Sequence, residues 1–126
     1  MLLCIYLVIY LIFSFFTYNW YMEKIQELID KSLDLINTEK FDEAKELLNQ
    51  VIELDDKNIE AYKNLGLCEV NLDNIQGAIS AFSRCIDLDE NDALSLYYLA
   101  CCKTKADDKE TAIIQFNKVI NLRPDY

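Results

Sequence analysis

The sequence predicts an all-α protein made of helix pairs in tandem, preceded by a hydrophobic N-terminal helix. Three observations carry that expectation. The 126 residues include two glycines and one proline, too few for sheets joined by tight turns. Shifting the sequence by 34 residues brings Ala44, Ala78 and Ala112 into line, a period that signals stacked helical repeats. All 22 acidic and 12 basic residues lie beyond residue 22, so the first stretch is a different material from the rest.

That first stretch, residues 1–22, reads MLLCIYLVIYLIFSFFTYNWYM and is almost continuously apolar from Leu2 to Phe16. As a helix rising ~1.5 Å per residue it can cross a ~30 Å hydrocarbon layer. Tyr18, Trp20 and Tyr21 follow at one end, where amphipathic rings favour the membrane–water interface. A cleaved signal peptide fits worse, for want of a basic start, a shorter apolar run and a small-residue cleavage site. The expectation is a single-pass membrane anchor through residues 2–21. Lys24, Lys31, Lys40 and Lys45 follow it and no Lys or Arg precedes it, which orients the remainder toward the cytosol. The alternative is a soluble cytoplasmic protein that starts at Met22, where MEKIQELIDKSLDLI opens well as a soluble helix.

Residues 23–126 form the second expected domain, with repeats at about 25–58, 59–92 and 93–126. The alignment by 34 also matches Leu48, Phe82 and Phe116; Val51, Cys85 and Val119; Ile52, Ile86 and Ile120; and Leu54, Leu88 and Leu122. In the second unit Tyr62, Leu65 and Glu69 keep helical spacing, as do Ile79, Phe82 and Ile86. Asp73-Asn74 separates the two helices. Asp and Asn tolerate a left-handed backbone, and Asn74 can cap the helix that follows. Asp107-Asp108 repeats this in the third unit, while Glu39-Lys40 makes a poorer turn in the first. Asn58 and Asn91 stand where the first helix of a new unit needs a cap.

The segment AYKNLGLCEVNLDNIQGAISAFSRCIDLDEN resembles a tetratricopeptide repeat. Tyr62, Leu65-Gly66, Ala78, Phe82 and Cys85 match that family's pattern, with Glu90 where proline is usual. Leu96, Leu99-Ala100, Ala112, Phe116, Val119 and Pro124 match it in the third unit. The first unit diverges most, with Lys31 where leucine is usual, although Phe41-Asp42-Glu43-Ala44 keeps the second-helix signature. The resemblance implies a short right-handed α-solenoid whose concave side is lined by first helices. Its packing residues are then Ala44, Leu47, Leu48, Leu65, Gly66, Ala78, Phe82, Ile86, Leu99, Ala100, Ala112 and Phe116.

The resemblance also implies a groove that takes a peptide or helix of a protein partner. Its candidate residues are Ile29, Leu33 and Ile36 in the first unit. Glu60, Lys63, Asn64, Leu67, Val70 and Asn71 follow in the second, and Tyr97, Tyr98, Cys101, Thr104 and Lys105 in the third. One branch of the family binds acidic chaperone tails through a carboxylate clamp of Lys, Asn and Arg. Here Asn64 alone stands at a clamp position; Ile29, Leu33, Leu94 and Tyr98 fill the others, so no such clamp is expected. Arrays of this kind usually close with a polar-faced helix. The sequence stops at Pro124-Asp125-Tyr126, so the third unit's outer face, with Ile113, Ile114 and Val119, is expected either to self-associate or to continue into a longer array.

Other functions are disfavoured on composition. A net charge of −10 repels nucleic acid and anionic lipid. With no histidine, the commonest general base and metal ligand is missing. The five cysteines form no CxxC pair, which points to buried thiols in a reducing compartment and not to a metal site. Asp55-Asp56 and Asp107-Asp108 sit at turns, where capping explains them better than acid–base work. The expectation is a non-catalytic scaffold without cofactors.

Overall fold

The computed structural model describes residues 1–125; Tyr126, the last position of the third unit, lies outside the described residues. Helix α1 spans Leu2–Asn37, α2 Phe41–Leu54, α3 Ile59–Asn71, α4 Ile75–Leu88, α5 Ala93–Lys105 and α6 Lys109–Leu122. Among the described residues there is no strand. Each helix packs on the next in sequence, so three antiparallel pairs stack as a helical-repeat solenoid.

The 34-residue period is written into the backbone of the turns. Glu39, Asp73 and Asp107 adopt φ of 60°, 59° and 62°, the left-handed region that closes a helix. Behind each, two amide hydrogen bonds return to the last turn: Lys40 N to Leu35 O at 2.8 Å and Glu39 N to Ile36 O at 3.0 Å, for example. The next helix starts at once. The Asn74 side chain accepts from Gly77 N at 3.2 Å, and that of Asp108 from Thr111 N at 3.3 Å. Lys40 makes no such bond, so the first turn forms without a side-chain cap. Between repeats, the Asp55 and Asp89 carboxylates accept from the amides two residues on, each at 3.1 Å.

Asn58 caps α3 as expected, accepting from Ala61 N at 3.0 Å. The corresponding cap of α5 is Asp92, not Asn91. The 34-residue register maps Asn58 onto Asp92, and Asn91 instead donates its amide to Asp89.

Two apolar clusters hold the stack. One joins α1, α2 and α3 through Ile25, Leu28, Ile29, Ala44, Leu48, Val51, Ala61 and Cys68, with Tyr21 and Leu65 packed on it. The other joins α4 and α5 through Ala78, Phe82, Leu99 and Cys102. Gly66 is needed where α3 crosses Phe82: a Cβ there would lie 2.6 Å from the ring. Ala100 and Ala112 are buried, whereas Leu47, Leu65, Ile86 and Phe116 are only half-buried.

The compositional boundary at residue 22 is not a break in the chain. Helix α1 runs through it, and Tyr21 and Ile25 already touch the first core. This helix is long and apolar enough to cross a membrane. Its most apolar 18-residue window has a mean hydropathy of 1.9 and is 0% buried.

Candidate protein-interaction groove

The candidate groove residues occupy equivalent positions on the first helix of each pair. Three departures from a simple open strip emerge. Ile29 is 2% exposed and belongs to the core with Ala44, Leu48 and Ala61; the expectation that it lines a groove is corrected, because α1 turns this side chain toward α2 and α3. Asn64 is buried as well. Leu33 and Ile36 are half-buried against the first cluster.

Farther along, Leu67 and Val70 are half-buried and pack on the second cluster. Asn71 is exposed and donates its side-chain amide to Leu67 O at 2.8 Å. Tyr98 stacks on Phe82 with ring centroids 5.3 Å apart. Tyr97 meets Tyr98 and Phe116 edge-on at 5.7 and 6.1 Å and keeps 38% exposure. Cys101 is half-buried, while Glu60, Thr104 and Lys105 are exposed. The aromatic run Phe82–Tyr98–Tyr97–Phe116 thus joins the second repeat to the third. An apolar cleft of about 580 Å³ opens where Tyr97, Phe116, Val119 and Ile120 meet.

Lys63, on this face, is paired within the protein. Lys63 Nζ lies 2.8 Å from Asp92 Oδ2, which also accepts from Ser95 Oγ at 2.9 Å. Burial opposes ionisation of Asp92, but these donors outweigh it and hold the carboxyl below its ordinary pKa. Lys63 is therefore engaged with the neighbouring repeat.

A second tie, at Glu69, is not legible from the sequence alone. Glu69 is almost fully buried. It receives Lys45 of α2 at 2.9 Å and the Asn74 side-chain amide at 2.8 Å, so one carboxylate links two repeats and a turn. Its trace in the sequence is a carboxylate at helical spacing from Tyr62 and Leu65, on a face otherwise apolar.

The buried thiols Cys68, Cys85 and Cys102 carry no sign of activation. Burial pushes Cys68 up to about 11 and also raises Cys85 and Cys102, away from the thiolate form that reacts.

Family comparison agrees with this geometry. Tetratricopeptide-repeat models match residues 31–58, 59–92 and 94–126. The chain belongs to the tetratricopeptide-repeat family. Proteins of this fold are generally non-catalytic interaction modules. No curated protein matches the chain significantly. Among solved structures, MamA superposes with a TM-score of 0.77 at 27% identity, covering 79% of this chain and 58% of that one. The repeat protein therefore spans little more than half the length of MamA. The Yersinia enterocolitica type III secretion chaperone SycD, in complex with a peptide of the translocator YopD, gives a TM-score of 0.78 at 16% identity, covering 82% of this chain and 79% of that one. The first TPR of Spaghetti (RPAP3), bound to an HSP90 peptide, gives 0.79 at 18% identity, covering 82% of each chain. At those two identities the likeness is one of fold.

Proposed function

We propose that this protein is a non-catalytic scaffold, anchored in a membrane by residues 2–21, which holds a peptide or helix of a partner protein along its first helices. The observation that carries the scaffold reading is the row Leu67, Val70, Tyr97 and Tyr98. It is apolar, partly open, and placed on the helices that line the concave side in this family. Peptides bound by SycD and by Spaghetti (RPAP3) support a peptide-sized ligand. The anchor reading rests on the wholly unburied apolar window of α1, since a run of exposed aliphatic and aromatic side chains from Leu2 to Phe16 is unfavourable in water.

The ligand is not an acidic chaperone tail. Asn64 is buried and Lys63 is tied to Asp92, and Ile29, Leu33, Leu94 and Tyr98 offer no cation. Titration with such a tail peptide should give no binding in the micromolar range.

Capture of the partner by the full chain, comparing wild type with Leu67→Glu and Tyr97→Glu, tests the groove. Both changes should abolish capture while leaving helix content intact. Capture that survives both removes the groove reading. Association that resists carbonate extraction tests the anchor; release into the soluble fraction favours an adaptor without one.

A second reading, self-association through the third repeat, is favoured by Ile113, Ile114 and Ile120, exposed at 58%, 66% and 58%. Ile114 occupies the repeat position held by Glu46 and Ser80, both exposed and polar. An isoleucine there fits a contact that the other repeats do not make. Sedimentation of the full chain in lipid nanodiscs should show a dimer that Ile114→Glu disperses; a monomer at all concentrations ends this reading.

A further inference from the structure

Helix α1 passes from the apolar segment into the first repeat without interruption. Residues 2–37 contain no proline or glycine, the usual causes of a sharp kink. Thr17 Oγ1 donates back to Ser14 O at 2.9 Å, which bends a helix slightly without breaking it. No linker lies between the interfacial rings and the array: Tyr21 packs against the first core, and Ile25, one turn on, is buried in it. The backbone that would emerge from lipid is the backbone that packs against α2.

This continuity fixes which edge of the array meets the lipid. α1 climbs away from Tyr21, and α2 returns antiparallel, so the turn between them lies at the far end. The turn at residues 55–58 then lies back beside the start of the repeat, and the turn at 89–92 shares its edge. That edge carries Asp55, Asp56, Asp89 and Glu90 against Lys57 and Arg123, with Asp92 paired to Lys63. Anionic headgroups do not attract such an edge, so its height above the surface is set by the unbroken backbone of α1 and not by charge. The first helices of the groove, 13 residues in α3 and α5, rise about 20 Å.

We infer that α1 acts as a rigid post: it holds the repeats upright on the bilayer, inter-repeat turns toward the headgroups, and keeps the groove within about 20 Å of the lipid. The inference rests on the anchored reading and deepens it. The groove then lies across the helices, parallel to the membrane plane, and meets segments that run close to the surface.

Energy transfer to headgroup-labelled lipid measures this directly. A donor is attached through an unnatural amino acid at position 57, in an inter-repeat turn, or at position 40, in the turn of the same repeat at the opposite end. Both sites are exposed. The full chain is placed in nanodiscs of phosphatidylcholine with phosphatidylserine. Transfer from position 57 should exceed that from position 40 several-fold, the two being about 20 Å apart in height. Inserting Gly-Ser-Gly-Ser between Met22 and Glu23 should bring the two values together. Equal transfer in the uninterrupted chain, or a difference that survives the insertion, overturns the post while leaving the anchor standing. A chain that fails to float with lipid overturns the anchor, and the post with it.

Discussion

Glu39 holds a left-handed backbone at φ 60°, as Asp73 and Asp107 do in the two later repeats. A glutamate side chain is too long to hydrogen-bond its own turn as Asp and Asn do, so it bears that conformation less well. Glu39→Asn should therefore stabilise the protein by about 0.5–1 kcal/mol, read as a higher urea midpoint at unchanged slope. Gly66 is the opposite case. Alanine there gains about 1 kcal/mol of helix propensity, but its Cβ would sit 2.6 Å from the Phe82 ring. Overpacking costs about 1–3 kcal/mol, so Gly66→Ala should lose about 1 kcal/mol net. Thiol reactivity follows burial in the same way. In the native protein a charged maleimide should label Cys101 and spare Cys68, Cys85 and Cys102, which are buried and held above the ordinary thiol range by that burial. Cys4, exposed on the apolar segment, should react in detergent-free monomer but not once inserted in lipid. Full labelling of Cys4 in vesicles would count against insertion.

At the scale of the helices, the stack is held by ties that cross from one repeat to the next. Glu69 joins α2, α3 and the Asn74 turn. Removing its cation by Lys45→Met leaves a buried carboxylate with one donor fewer, which should cost about 1–3 kcal/mol in a denaturation curve. Lys63 and Asp92 make the equivalent tie between α3 and α5. Folding lowers the Asp92 pKa, so its contribution is complete above the ordinary carboxylate range and lost as pH falls through the lowered value. The stability advantage of wild type over Asp92→Asn should be present at neutral pH and vanish in strong acid; a difference that persists there would contradict the assignment. These ties mark the limit of what the sequence discloses. The helix pairs and the turns at Asp73 and Asp107 are legible because spacing and turn chemistry coincide. The turn at Glu39 is legible only through the period, since its residues argue against it. Asn91 suits a cap by residue type, yet the 34-residue register places Asp92 there. Ile29 reads as groove on family position alone; its burial comes from how α1 crosses α2 and α3, which no local pattern encodes. The partners of Glu69 and Lys63 stand 24 and 29 residues away, and pairings at that range follow from packing.

For the whole molecule, the fold gives two unlike surfaces joined by one helix: an apolar segment without internal cover and an acidic stack of three helix pairs. The apolar segment is long enough to cross a membrane, and the stack presents a partly open row of Leu67, Val70, Tyr97 and Tyr98 on the first helices. In the proposed function this row, not the outer surface of the second helices, meets the partner. Photo-crosslinking in intact membranes tests it most directly. A photoreactive phenylalanine analogue replaces Leu67 or Tyr97 on the first helices, or Ser80 or Asp87 on the outside of α4, in the full chain. Crosslinks to one common partner should form from positions 67 and 97 and be absent from 80 and 87. Crosslinks from 80 and 87, with none from 67 and 97, would contradict the groove and place the partner on the opposite face.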